Sequence, residues 1–256
     1  MQRYFIPKAN WQNNTISIEG DDAHHIIRVM RMQAGDKIIC NKLDASAAIC
    51  EITELNTDSV TAEVLEWLES NTELPVNVTI AQGLPKGDKI ELVLQKGTEL
   101  GAYAFIPFQA ERSVVKWDAR KTDKKLIRFS KIVKEASEQS HRNRIPEIRQ
   151  AMNLSQLIQE GQRYDIKLFA YEEEAKTNEF HSFSSVINQV KNDDHILICI
   201  GPEGGFSQEE VTSLKQHDFI PVRLGPRILR TETAALYALS SISYHLEELG
   251  GTSCQQ

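Results

Sequence analysis

Two short blocks constrain this chain more than anything else in it. One is Ile196-Leu-Ile-Cys-Ile-Gly-Pro-Glu-Gly-Gly-Phe-Ser207, and the other is Val222-Arg-Leu-Gly-Pro-Arg-Ile-Leu-Arg-Thr-Glu-Thr-Ala234. Each is an apolar run entering a Gly/Pro turn and then a helix start. The unbroken run 196–200 reads as a strand buried on both faces. Gly201, Gly204 and Gly205 are expected to take positive φ and let a ligand approach the backbone. Ser207 with Glu210 has the spacing of a capping box, so a helix starts there. In the second block residues 222–224 end a strand, Gly225-Pro226 turns, and Thr231 or Thr233 can cap the next helix. Two such loops at the carboxyl ends of neighbouring strands predict one ligand crevice in an open α/β sheet.

The blocks do not fit the common nucleotide fingerprints. Neither GxGxxG nor GxxxxGK[ST] is present, and Glu203 inside the first loop would repel a phosphate. Taken alone, the first block also has a plainer reading, as just a tight strand–helix turn.

Together, GPEGG and LGPRILRTETA resemble the signature of the ribosomal RNA small subunit methyltransferase E family, within the SPOUT superfamily. The resemblance runs along the chain through Arg3-Tyr-Phe5, His24-His-Ile-Ile-Arg-Val-Met-Arg31, Lys86-Gly-Asp-Lys89, Lys96-Gly-Thr-Glu-Leu-Gly101, Glu111-Arg-Ser113 and Glu135-Ala-Ser-Glu-Gln-Ser140. His141 departs from it, since a smaller residue is expected there. The resemblance implies an α/β fold: a C-terminal trefoil-knotted parallel-sheet domain with helices on both faces, plus a small N-terminal PUA-like β-barrel that binds RNA. It implies S-adenosyl-L-methionine as cofactor, 16S rRNA of the small ribosomal subunit as partner, N3 of a uridine as methyl acceptor, and a homodimer.

Net charge is −7 over 256 residues, which at first argues against RNA. The distribution reverses that reading. Residues 112–144 hold 11 Lys and Arg against 4 Asp and Glu, while the flanks on either side are acidic. Affinity for nucleic acid follows the local field, not the total. The same stretch also reads as the solvated face of an amphipathic helix. The apolar start of a secretory signal is missing, and no run reaches the ~18 apolar residues of a membrane helix. Cys40, Cys50, Cys199 and Cys254 show no metal-ligand spacing, and the first three sit in apolar runs as small buried side chains. A cytoplasmic protein without a metal is expected.

Residues 1–70 read as several short strands and one helix, with Asp21 or Asp22 as its cap, and as a small barrel. A hairpin turns at Asn56-Thr-Asp58. Residues 71–75 read as a linker. Residues 76–256 alternate strands and helices, among them a long basic helix from Asp118 to Ser140 and a last helix from Glu232 to Glu248. That last helix carries Ala235, Leu239, Ile242 and Leu246 on one face, with Tyr237 and Tyr244 beside them.

The cofactor residues expected from the loops and the resemblance are Tyr171, Ile200, Gly201, Pro202, Glu203, Gly204, Gly205, Leu224, Gly225, Ile228, Leu229, Arg230, Thr231 and Thr233. Uracil N3 gives up a proton on methylation, so a guanidinium near O2 and O4 would stabilise the developing charge. Of Arg227 and Arg230, Arg230 is the expected catalytic residue. The alternative is that one of them pairs with Glu232 or caps a helix C-terminus. No general base is identified, although Glu203 and Glu232 are carboxylates near the crevice. Arg3, Arg28, Arg31, Arg112, Arg142 and Arg144 are the expected RNA contacts. His24 and His25 are adjacent on a helix, face different ways and lack a third ligand, so they do not form a metal site. Two other readings stay open: a SPOUT methyltransferase for another rRNA or tRNA position, and a non-catalytic RNA-binding assembly factor.

Overall fold

The protein is represented by a computed structural model that describes residues 1–69, 71–117, 119–171 and 181–249. It divides into two compact units, one of residues 1–73 with 134–145 and one of residues 74–133 with 146–256. Cys254 lies outside the described residues, as does Asp118.

The first unit contains β1 (Arg3–Phe5), β2 (Trp11–Gln12), β3 (Thr15–Glu19), α1 (Gly20–His24), β4 (Lys37–Asn41), β5 (Ala47–Leu55) and β6 (Ser59–Leu68). The strands form one sheet in the order β1-β4-β5-β6-β3-β2. β1 and β4 run parallel, and the other neighbours are antiparallel. Alternation builds the core: Ile16 and Ile18 of β3, Val60 and Ala62 of β6, and Cys50 and Ile52 of β5 all turn inward, with Ile26 beside them. Each isoleucine buried in this way contributes about 1.5–3 kcal/mol. Asn56 N–H donates to the Ser59 carbonyl, closing the expected hairpin.

Residues 134–145 join this unit through polar contacts. Asn41 Nδ2 and Arg3 both donate to the Arg142 carbonyl, and the Arg142 guanidinium pairs with Glu73. Lys134 Nζ lies 2.5 Å from Asp22. Neither Asp21 nor Asp22 caps α1: the N-cap is Glu19, with no side-chain cap bond. The lysine takes Asp22, and both aspartates sit in the first turn, where the helix dipole favours negative charge.

The second unit contains β7 (Asn77–Gly83), α2 (Lys89–Glu99), β8 (Ala104–Phe108), the first part of α3 (Ala119–Gln139), β9 (Glu147–Ile148), α4 (Leu154–Gly161), β10 (Ile166–Ala170), β11 (His181–Ser182), α5 (Phe183–Ile187), β12 (His195–Ile200), α6 (Gln208–Gln216), β13 (Ile220–Arg223) and α7 (Thr231–Ser243). Its seven strands pair in the order β11-β13-β10-β12-β7-β8-β9, all parallel. The two faces of the sheet carry different helices. Ala81, Ile106, Phe108, Phe169, Leu197 and Cys199 pack with Leu157 of α4 and with Val211 and Leu214 of α6. On the opposite face α2 approaches so closely that a Cβ on Gly97 would lie 2.8 Å from the Phe105 ring and 3.3 Å from Leu239 of α7. Gly101 ends α2 with φ of 89°, a conformation that favours glycine after a helix.

Candidate cofactor cavity

β12 and β13 are not neighbours: β10 lies between them. The two glycine loops still converge, because all three parallel strands end on the same side. The end of β10, Ala170 and Tyr171, fills the gap. The result is one cavity of about 720 Å³ lined by both loops, within the usual size range of small-molecule sites.

The first loop is anchored at several points. Gly205 N–H donates to the Pro202 carbonyl at 2.8 Å, and Phe206 is buried against Phe169 and Phe108. Ser207 caps α6 in a full capping box with Glu210, as its spacing predicts. Of the three glycines only Gly205 has positive φ, at 65°, and open space lies where its side chain would be. Gly201 and Gly204 serve close approach instead. A Cβ on Gly201 would lie 3.2 Å from the Gly205 backbone, and one on Gly204 would lie 3.1 Å from Arg112 Cβ.

Glu203 turns away from any phosphate role. Its carboxylate accepts from Lys86 N–H at 3.1 Å and from Lys89 Nζ at 3.0 Å. Burial pushes this carboxyl up, but the N–H groups of Glu203 and Lys86 and the Lys89 ammonium outweigh it and hold the group below the ordinary carboxylate range. A carboxylate so held is a poor proton acceptor. Lys89 also lies 3.6 Å from Glu232 Oε2. Glu232 therefore faces Lys89, and Arg227 and Arg230 have no carboxylate partner among the described residues.

In the second loop Gly225 has φ of 80°, and Arg223 Nε donates to its carbonyl at 2.7 Å. The N-cap of α7 is Arg230, without a side-chain cap bond. Thr231 is not the cap. It is the first helical residue, and its hydroxyl donates to the Gly201 carbonyl and accepts from Gln82 Nε2 at 2.7 Å. Cap duty is displaced because this hydroxyl ties the loops together.

Every residue expected to bind cofactor lines this cavity except Thr233, which is exposed on α7. Arg230 lines it, and so does Arg112, expected only as an RNA contact. The other RNA candidates separate by burial. Arg28 and Arg31 are exposed. Arg3 and Arg142 are 5 % and 3 % exposed and hold the first unit together, Arg3 by donating to Arg142 and Asn143 and Arg142 by pairing with Glu73. Arg144 is half-buried, and its N–H donates to Glu73. Sequence reasoning missed Lys89, Gln82 and Gly83. A Gln-Gly pair at the end of the alternating stretch 76–81 was the signal for the last two. Among the described residues no group of His, Cys, Asp or Glu could hold a metal ion, and no helix is long and apolar enough to cross a membrane.

Comparison with known proteins agrees with this geometry. Residues 72–243 match the model of an RNA methyltransferase domain, and residues 18–65 that of an RNA methyltransferase PUA domain. The chain is 51% identical to a Bacillus subtilis protein called ribosomal RNA small subunit methyltransferase E, over 98% of this chain and 99% of that one. It is 31% identical to the protein of the same name from Mycobacterium bovis, over 88% and 84%. A crystal structure of a ribosomal RNA small subunit methyltransferase E from Neisseria gonorrhoeae bound to S-adenosyl methionine superposes with a TM-score of 0.82 at 28% identity, covering 95% of this chain and 97% of that chain.

Proposed function

The chain belongs to the ribosomal RNA small subunit methyltransferase E family; it methylates 16S rRNA of the small subunit with S-adenosylmethionine, and we propose that the acceptor atom is N3 of a uridine. The observation that carries this reading is one cavity walled by both glycine loops, with the Arg230 guanidinium, which has no carboxylate partner among the described residues, on its lining. The residues fit an adenosyl ligand. The loop around Gly205 offers open backbone, and the Glu203 carboxylate on the lining is neutralised by Lys89. Residues 200–205 and 224–231, with Tyr171, would hold the cofactor, which supplies an already activated methyl group.

The chain then has to position the base and stabilise charge. As the N3 proton leaves, negative charge spreads onto O2 and O4, and the Arg230 guanidinium donates to it. The Thr231 hydroxyl, bonded to Gly201, holds Arg230 at the start of α7. Glu203 is engaged by Lys86 and Lys89, so the proton leaves by another route.

The first unit supplies RNA docking through Arg28 and Arg31, and Arg112 adds a contact at the cavity. Residues 1–73 with 134–145 form the docking unit of this scheme and residues 74–133 with 146–256 the catalytic unit, whose chain passes through the trefoil knot of its superfamily. The protein works as a cytoplasmic homodimer. Tyr237, Tyr244 and Leu249 leave an apolar surface exposed beside a second cavity, whereas Ala235, Leu239 and Ile242 are buried in the fold. Methylation of 16S rRNA by the purified protein, followed by mass spectrometry of nuclease fragments, tests the assignment. A methyl group on ribose, on a carbon or on tRNA alone overturns the N3 reading.

A further inference from the structure

Glu210 does more than cap α6. It is 4 % exposed, and both carboxylate oxygens are used. Oε2 accepts from Ser207 N–H at 2.9 Å, completing the capping box. Oε1 turns away from the helix and accepts from Glu111 N–H at 2.8 Å, in a segment 99 residues earlier. A capping box needs only the first of these bonds.

The second bond pins the segment that carries Arg112. Ser113 N–H donates to the Ala110 carbonyl, so residues 110–113 form a tight turn. Arg112 Nη1 donates to the Gly204 carbonyl at 3.2 Å, and the Arg112 side chain fills the space where a Cβ on Gly204 would lie. Arg112 is exposed, lines the cofactor cavity and has no carboxylate partner among the described residues. An unpaired guanidinium fixed at a cavity lip is a ready contact for a phosphate or an exposed base edge.

We propose that Glu210 is a positioning residue for RNA recognition: by holding Glu111 N–H it sets the Arg112 guanidinium against the cofactor loop, so that RNA is gripped in register with the methyl donor. The inference rests on the reading of Arg112 as an RNA contact. Its chemistry is specific to a carboxylate. Glutamine presents one acceptor and one amide, so Glu210→Gln can satisfy Ser207 or Glu111 but not both.

The test is a double-mutant cycle in the full-length protein, read as affinity for transcribed 16S rRNA and, separately, for S-adenosylmethionine. Arg112→Ala is expected to weaken RNA binding roughly tenfold, and Glu210→Gln by a comparable factor. The double variant should bind no more weakly than Arg112→Ala alone, because Glu210 acts through Arg112. In Glu210→Gln cofactor affinity should stay within about threefold. Ser207→Ala is the control for stability, since it removes the helix cap and leaves the Glu111 bond in place. It should lower Tm without changing RNA affinity. Unchanged RNA binding in Arg112→Ala overturns the Arg112 reading and the proposal with it. Normal RNA binding in Glu210→Gln, additive losses in the double variant, or an equal RNA defect in Ser207→Ala overturns the positioning role alone.

Discussion

The Thr231 hydroxyl donates to the Gly201 carbonyl across 2.6 Å, tying the start of the last helix to the start of the first glycine loop. The same hydroxyl accepts from Gln82 Nε2 at the end of β7. One side chain therefore fixes the spacing of both cavity walls. Thr231→Val keeps the shape and removes the hydroxyl, so the Gly201 carbonyl loses its donor and Gln82 Nε2 keeps only its bond to the Gly83 carbonyl. Stability should fall by about 1–3 kcal/mol, and S-adenosylmethionine affinity should fall with it. Thr231→Ser should retain most of both. Chemical denaturation and calorimetry on the two variants check this.

Gly83 allows no side chain. A Cβ there would lie 2.4 Å from Pro202 N and 2.7 Å from Gly201 C, both backbone atoms. Gly83→Ala must push the first loop away from β7. The expected outcome is loss of cofactor binding together with a large drop in Tm, whereas Gly87→Ala, which has open space around it but positive φ of 65°, should cost only about 1–2 kcal/mol of backbone strain. Thermal unfolding of the pair, with cofactor titration, decides it.

Glu203 makes cofactor binding acid-sensitive. Its folded-state pKa is depressed, so its hold on Lys86 and Lys89 is present at neutral pH and is lost as pH falls through the depressed value. S-adenosylmethionine affinity should weaken at acid pH in the wild type. In Glu203→Gln affinity should be lower at neutral pH, and this acid limb should be absent. An identical acid limb in the variant assigns the effect to another group.

Arg230 should act in the transition state. Arg230→Ala should slow single-turnover methylation by roughly 10²–10³-fold, while binding of RNA and cofactor changes far less. Arg230→Lys should rescue poorly, because a point charge does not replace a planar fork. Loss of cofactor affinity in Arg230→Ala would instead make it part of the loop scaffold.

Arg28, in the helical turn that follows α1, and Arg31, just beyond its end, are both exposed. Replacing both by Ala should weaken RNA binding and reduce the slope of affinity against salt by about 1–2. Cofactor affinity should not move. Filter binding across a salt series reads both quantities.

Much of this architecture was legible in the chain because it is local. The strand at 196–200, the α6 capping box of Ser207 and Glu210 and the hairpin at 56–58 each follow from residues within a few positions of one another. The two glycine loops and the place of Arg230 on the cavity lining were legible for the same reason, since strand, turn and helix start are contiguous.

Local patterning therefore says which segments become strands, loops and helices, and which loop residues are free to face a ligand. Which of them meet is set by the packing of distant segments. β10 inserted itself between β12 and β13, an order that no periodicity encodes. Gly201 and Gly204 proved to be glycines of close approach, because the crowding atoms come from Gly205 and Arg112 and not from their own φ. Thr231 lost its cap role to Gly201, and Arg3 and Arg142 went into the first unit's interior, where carbonyls and Glu73 neutralise them. Hydrogen bonds and ion pairs between distant segments depend on positions that only the packed chain sets, so an arginine destined for RNA and one destined for burial read alike until the fold is formed.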